Sequence, residues 1–298
     1  MYIRIGYEFQ FDLAAPTHMV LMLHTHTERT HLLQRPERIH VEPEIRLDDF
    51  TDSFGNRSAR LMAPAGKLKI WYDNVVWDSG QKEPIIDGLR LHTLEELPND
   101  LIRYLMGSRW CEVDRLSQMA WDLFGKTPLT WERVQAVMDW VHGHVEFGYK
   151  YARPTKTAMD VCNEKQGVCR DFQHLAITML RALNVPARYA TGYLGDIGVP
   201  YNPAPMDFSA WFEVYLGNRW YTLDGRHNTP RIARVLMARG RDATDVALTT
   251  SFGPTRLEKF SVWTDEVPQE AIAEPDGIPE NRHVTTLPVP AMTPVTMP

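Results

Sequence analysis

Cysteine is scarce in this chain: three residues, Cys111, Cys162 and Cys169, among 298. Such a trio cannot pair off completely, and disulfide-built scaffolds use more. Long apolar runs are lacking too, since none approaches the roughly 20 residues that span a bilayer. Excess positive charge is also missing: 38 acidic residues against 32 Lys and Arg leave a formal net charge of -6. A protein that coats nucleic acid needs the opposite balance. The opening Met1-Tyr-Ile-Arg-Ile-Gly-Tyr-Glu-Phe-Gln10 has neither the basic nor the unbroken apolar region of a signal peptide. The expectation is a protein of the reducing cytoplasm with no nucleic-acid and no membrane partner.

What is present is ordinary globular composition, 44% hydrophobic and 23% charged, enough for a substantial core. At roughly 150 residues per domain the length predicts about two domains. Ile3, Ile5, Tyr7, Phe9 and Phe11 alternate with polar residues or glycine, the period of a half-buried strand. Strand-like runs follow at 19–23, 39–47 and 68–77, separated by turn-rich pieces such as Asp52-Ser-Phe-Gly-Asn56. This spacing predicts an antiparallel β-sandwich over residues 1–85, followed by a polar linker at 86–100. From Leu101 the period becomes helical. Leu116, Met119, Ala120 and Leu123 define one helix, with Asp114 as N-cap and Gly125 past its end. Thr130 caps a second, and a third begins near Cys169 and stops at Asn184 and Pro186. Strands are expected at 188–194, 210–216 and 220–223, with Gly217-Asn218 as a tight turn. Residues 101–263 therefore read as an α+β domain, and 264–298 as a Pro-rich tail that wraps the surface or is disordered.

Several candidate sites fail on their spacing. Gly125-Lys126-Thr127 would end a phosphate loop, but Ala120 stands where its leading glycine belongs. His24 and His26 share a strand face without a third ligand, and read as surface or interface residues. His142 and His144 suit a helix C-terminus. Cys162, Cys169 and His174 match no common zinc pattern. No metal and no cofactor is expected.

Cys169 is different. It lies in Gln166-Gly-Val-Cys-Arg-Asp-Phe172, at the first turn of an apolar helix. Unpaired amides and about half a positive charge at such a terminus favour the thiolate, which is the nucleophile. The Cys169 amide can also donate to a developing oxyanion, and Gly167 permits a sharp entry into the helix.

Four segments together carry a resemblance: Gly167–Phe172; Val185-Pro-Ala-Arg-Tyr189 with Thr191-Gly-Tyr193; Asp207-Phe-Ser-Ala-Trp-Phe-Glu-Val214; and Trp220–Asp224 with Arg226-His-Asn228. In their order and spacing the chain resembles the transglutaminase-like superfamily, specifically a bacterial group assigned as cysteine proteases with an N-terminal β-domain. The resemblance implies a papain-like α+β core and acyl transfer from amides: transamidation, peptide or isopeptide hydrolysis. On it, Cys169 matches the nucleophile and Asp224 the carboxylate that orients a histidine. Trp211 and Tyr193 are the candidate substrate contacts. The family's histidine position, just before Ala-Trp, holds Ser209.

The strand register tests whether another group can serve. A two-residue turn at Gly217-Asn218 pairs Leu216 with Arg219 and so Trp211 with Asp224. Ser209 and Asp224 are then diagonal neighbours at roughly 7–8 Å, the reach a histidine would fill. His227 lies on the opposite face if the strand continues, and serves as fallback base only if the chain bends at Gly225. His174 points away, about 140° round the helix from Cys169. Two functions compete. One is acyl transfer or amide hydrolysis through an acyl-Cys169 intermediate on a peptide, protein or small amide substrate. The other is a catalytically impaired domain that binds peptides or a partner protein. Oligomeric state is open at this level.

Overall fold

The alternation that opens the chain becomes β1 (Tyr2–Leu13), with Ile3, Ile5 and Tyr7 wholly buried. The computed structural model describes residues 1–84, 88–202 and 206–279. Residues 85–87 of the expected linker and 280–298 of the expected tail lie outside these. Five more strands complete the first segment: β2 (Thr17–Leu21), β3 (His40–Glu42), β4 (Asp48–Thr51), β5 (Arg57–Ala63) and β6 (Gly66–Trp77). The helical segment holds α1 (Val113–Phe124), α2 (Trp131–His144), β7 (Glu146–Phe147), α3 (Ala158–Glu164), β8 (Gln166–Gly167) and α4 (Cys169–Ala182). There follow β9 (Ala187–Leu194), β10 (Ser209–Leu216), β11 (Arg219–Leu223), β12 (Arg234–Gly240), β13 (Thr249–Phe252) and β14 (Thr255–Val267).

Two four-stranded antiparallel sheets, ordered β14-β1-β6-β3 and β13-β2-β5-β4, form the N-terminal unit. Their shared core holds Phe9, Met19, Leu61 and Ile70. The structure thus moves residues 249–267 out of the α+β segment and the tail: β13 pairs with β2, and β14 runs the length of β1. The physical reason is a bulge. Gln10 faces Lys259 but Phe11 faces Leu257, so Glu258 is skipped and the period-2 pattern of β14 breaks in mid-strand. The described part of the tail docks on the same sheet, where Arg4 donates to Glu274 at 2.5 Å and Arg35 to the Glu274 carbonyl at 2.6 Å.

A third four-stranded sheet is antiparallel, ordered β11-β10-β9-β12, and α4 packs against it with α1, α2 and α3 alongside. Every residue of α4 from Asp171 to Ala182 is buried, so the helix is wrapped on all sides. Burying side chains such as Phe172, Leu175 and Leu180 is worth about 1.5–3 kcal/mol each, which makes α4 the most firmly held element near the site. Asn184 ends it with φ of 63°, as a residue that tolerates the left-handed region. Gly217 and Asn218 both take positive φ, 52° and 64°, in the hairpin that sets the β10–β11 register.

Candidate active site

Cys169 is the first residue of α4. The Asp171 carboxylate accepts the Val168 N–H at 2.9 Å and an Arg170 N–H at 3.2 Å, and it is itself fully buried. A Cβ on Gly167 would lie 2.6 Å from the Asp171 Cβ, so only glycine admits this entry into the helix. One turn further on, Gln173 projects from the same face. It donates to Asp224 Oδ1 at 3.0 Å and to the Ala210 carbonyl at 3.2 Å, and accepts the Gly225 N–H at 3.0 Å.

The hairpin register matches the sequence expectation as far as Phe212 opposite Leu223. There β11 ends and the chain bends. The Asn228 N–H donates to the Asp224 carbonyl at 2.8 Å, closing a turn that swings His227 back to its own aspartate. His227 Nδ1 lies 2.8 Å from Asp224 Oδ2. Arg234 also donates to Oδ2 at 3.1 Å, while Oδ1 receives Gln173 and the Arg226 and His227 amides. Burial alone would raise the Asp224 carboxyl, but His227, Arg234 and Gln173 outweigh it and hold it well below the usual carboxylate range. An ionised carboxylate can only accept, so Nδ1 is the donor in this pair, and in the neutral ring that tautomer puts the acceptor lone pair on Nε2.

Cys169, Ser209 and His227 line one cleft of about 110 Å³ with Asp207, Arg226 and Tyr149. Asp224 stands behind His227. A larger cavity of about 310 Å³ touches Asp224 but reaches neither Cys169 nor His227. Tyr193 and Trp211, the expected substrate contacts, are both buried away from the cleft. Tyr193 packs against Phe208 in the core shared with the N-terminal strands, and Trp211 against Ala190 and Leu236. Large aromatics at these strand positions satisfy packing before they can serve a groove. Residues 203–205, between β9 and β10, lie outside the described ones.

The thiol departs from its expected electrostatics. Half-buried in the cleft, Cys169 is pushed up to about 11 by burial and by Asp207, against the pull of Arg226 and of the Ala210 N–H. Desolvation is the largest cause of the shift. Asp207 is itself pushed up to about 6 by burial. Asp207, Gln173 and Arg226 are site residues that the sequence reading did not assign. Only Gln173 left a signal, its spacing of four from Cys169 on one helix.

The other candidates are placed elsewhere. His174 is wholly buried, accepts the Ala243 N–H at 3.1 Å, and is held down to about 3 by burial. His24 and His26 are buried rather than superficial, His24 lying 3.2 Å from Glu37 and 3.3 Å from Asp49. His142 Nδ1 meets the Arg226 carbonyl at 2.9 Å, and His144 the Cys162 carbonyl at 2.7 Å. Among the described residues no cluster of three His, Cys, Asp or Glu could hold a metal ion, and no helix is long and apolar enough to cross a membrane.

Residues 118–225 match the family model described as the transglutaminase-like superfamily. A crystal structure described as a "putative cysteine protease" from Cytophaga hutchinsonii is 31% identical, with a TM-score of 0.77, covering 90% of this chain and 91% of that one. Uncharacterized protein ML0607 of Mycobacterium leprae is 24% identical over 230 residues, 75% of this chain and 81% of that protein.

Proposed function

This chain belongs to the transglutaminase-like superfamily, and we propose that it is a thiol-dependent acyltransferase or amide hydrolase in which Cys169 is the nucleophile and His227 the base. The observation that carries the reading is the 2.8 Å contact of His227 Nδ1 with Asp224, at the cleft that also holds Cys169. It restores the relay that Ser209 interrupts, by moving the imidazole from strand β10 to the turn after β11. His227 Nε2 takes the thiol proton as Sγ attacks the substrate carbonyl, and the Cys169 amide donates to the oxyanion. The protonated imidazole then gives its proton to the leaving amine, which departs and leaves an acyl-Cys169 thioester. Water or a second amine, deprotonated by the same imidazole, attacks that thioester and frees the thiol. Asp224 holds the imidazole in the required tautomer throughout. The substrate class is a peptide, protein or small amide, and the three free cysteines suit a reducing cytoplasm.

The test is acylation. Incubation with 4-nitrophenyl acetate is expected to release one burst equivalent of nitrophenolate and leave one acetyl group on the Cys169 peptide, read by mass spectrometry. Cys169→Ser should abolish both. A wild type that is never acylated, yet still binds peptides, would instead establish the binding-domain alternative. Because the thiol sits near 11, its direct alkylation by iodoacetamide should climb about tenfold per pH unit between pH 7 and 10.

Ser209→His probes the same arrangement from the other side. Both oxygens of Asp224 are already engaged, so an imidazole at 209 finds no carboxylate to orient it. The expected acylation rate stays within about threefold of wild type, against the 10²–10⁴-fold that a working general base supplies. A gain of that larger size would show that position 209 retains the relay geometry.

A further inference from the structure

We propose that Arg226 is the specificity residue of the cleft and receives a carboxylate of the substrate beside the carbonyl that Cys169 attacks, so that the preferred acyl donors are anionic next to the scissile bond. The inference deepens the reading of Cys169 as nucleophile and rests on it.

Arg226 is held at three points. Its amide donates to Asp224 Oδ1 at 3.0 Å, and its carbonyl meets His142 Nδ1 at 2.9 Å, so its backbone is clamped on both sides of the peptide. Its guanidinium lies over the Phe147 ring, 3.5 Å from the centroid. Stacking on an aromatic face orients the planar fork and removes much of the rotamer entropy that binding would otherwise cost. Yet among the described residues no carboxylate is ion-paired with this guanidinium and no acceptor is hydrogen-bonded to it. The other cleft arginine, Arg231, donates to the Gly195 carbonyl at 2.8 Å and lies 3.8 Å from Asp196. Arg226 is thus oriented and unengaged, adjacent in sequence to His227 and lining the cleft that holds Cys169.

Two features narrow the ligand. The guanidinium fork matches a carboxylate bidentately. Asp196 and Asp207 also line the cleft, and its volume is only about 110 Å³. A polyanion would meet these acids, whereas a single carboxylate on the Arg226 side need not. An acidic side chain or a terminal carboxylate at one residue's remove from the scissile carbonyl fits that description.

Alkylation at one fixed pH provides the test, using iodoacetate and iodoacetamide as the anionic and neutral probes and peptide mapping to isolate Cys169. Any change in thiolate fraction affects both reagents alike, so the ratio of their rates reports only how the cleft receives the carboxylate. Arg226→Gln is expected to lower the iodoacetate-to-iodoacetamide ratio by about tenfold or more, Arg226→Lys by less, and Phe147→Leu by an intermediate amount as the platform is lost. A ratio within twofold of wild type in folded Arg226→Gln, with Cys169 still alkylated by iodoacetamide, would overturn the proposal and leave the nucleophile standing. If neither reagent modifies Cys169 in the folded protein but both do after unfolding, the nucleophile falls and this proposal with it.

Discussion

Replacing His227 with alanine is expected to lower kcat/KM for ester or amide substrates by about 10²–10⁴-fold, while Ser209→Ala changes it by less than about threefold. The asymmetry follows from where Asp224 directs its charge. Its Oδ2 faces His227 Nδ1 at 2.8 Å, and its remaining acceptor capacity is filled by Gln173, Arg234 and two backbone amides. Ser209 lines the cleft, but a hydroxyl cannot act as a base near neutral pH. The thiol makes the need for a base sharper: with Cys169 near 11, almost none of it is ionised at pH 7, so attack depends on proton removal in the same step. In His227→Ala that help is gone, and the residual acylation rate should track the free thiolate, rising with pH towards 11. Burst kinetics with 4-nitrophenyl acetate across pH 6–10 would check this. Equal losses in the two alanine variants would place the base outside the Asp224 pair. Asp224→Asn is expected to fall near His227→Ala, because an amide leaves the imidazole tautomer unfixed.

How much of this was legible before the fold depends on where the information sits along the chain. The register of β10 and β11 was readable because Gly217-Asn218 fits only a tight turn with two positive φ values, and that turn dictates every pairing up to Phe212–Leu223. The start of α4 was readable from Gly167 and the apolar run behind it. The bend after Asp224 was legible only as a condition, since Gly225 permits a bend but does not require one. What commits the chain is the Gln173 side chain accepting the Gly225 amide, 52 residues away in sequence. Helix α3 escaped notice because its seven residues make less than two full turns of period. The strand β14 escaped because a bulge put its two halves out of phase. The thiol's electrostatics were misjudged for a related reason: a helix terminus is visible in sequence, whereas the packing that desolvates Cys169 is assembled from several distant segments.

Arg181→Met should be the most destabilising single change on the helix that carries the nucleophile, by about 3–5 kcal/mol. Arg181 occupies the last turn of α4 and is 2% exposed. Its guanidinium donates twice to the Ala187 carbonyl, at 3.0 and 2.8 Å, and to the carbonyls of Met106 and Arg241 at 3.0 and 2.6 Å. It thereby ties the end of α4 to the segment before α1, the start of β9 and the segment after β12. Cations near a helix C-terminus also complement its dipole. Methionine fills much of the same volume but leaves the buried Ala187 carbonyl and the part-buried carbonyls of Met106 and Arg241 without this donor. A buried group left unpaired costs about 1–3 kcal/mol and the part-buried ones less, since water can reach them. The midpoint of thermal unfolding should fall by about 6–20 °C, given roughly 2–4 °C per kcal/mol for a domain of this size. Arg181→Lys should recover part of the loss, since one ammonium can reach some of these oxygens but not the full fork geometry. Arg181 lies twelve residues from Cys169, about 18 Å along the helix axis. Acetylation of Cys169 per folded molecule, measured well below the midpoint, should therefore be unchanged. A large stability loss with intact acylation would separate the scaffold of α4 from its chemistry, and loss of acylation in a folded Arg181→Met protein would show that the two ends of the helix are coupled.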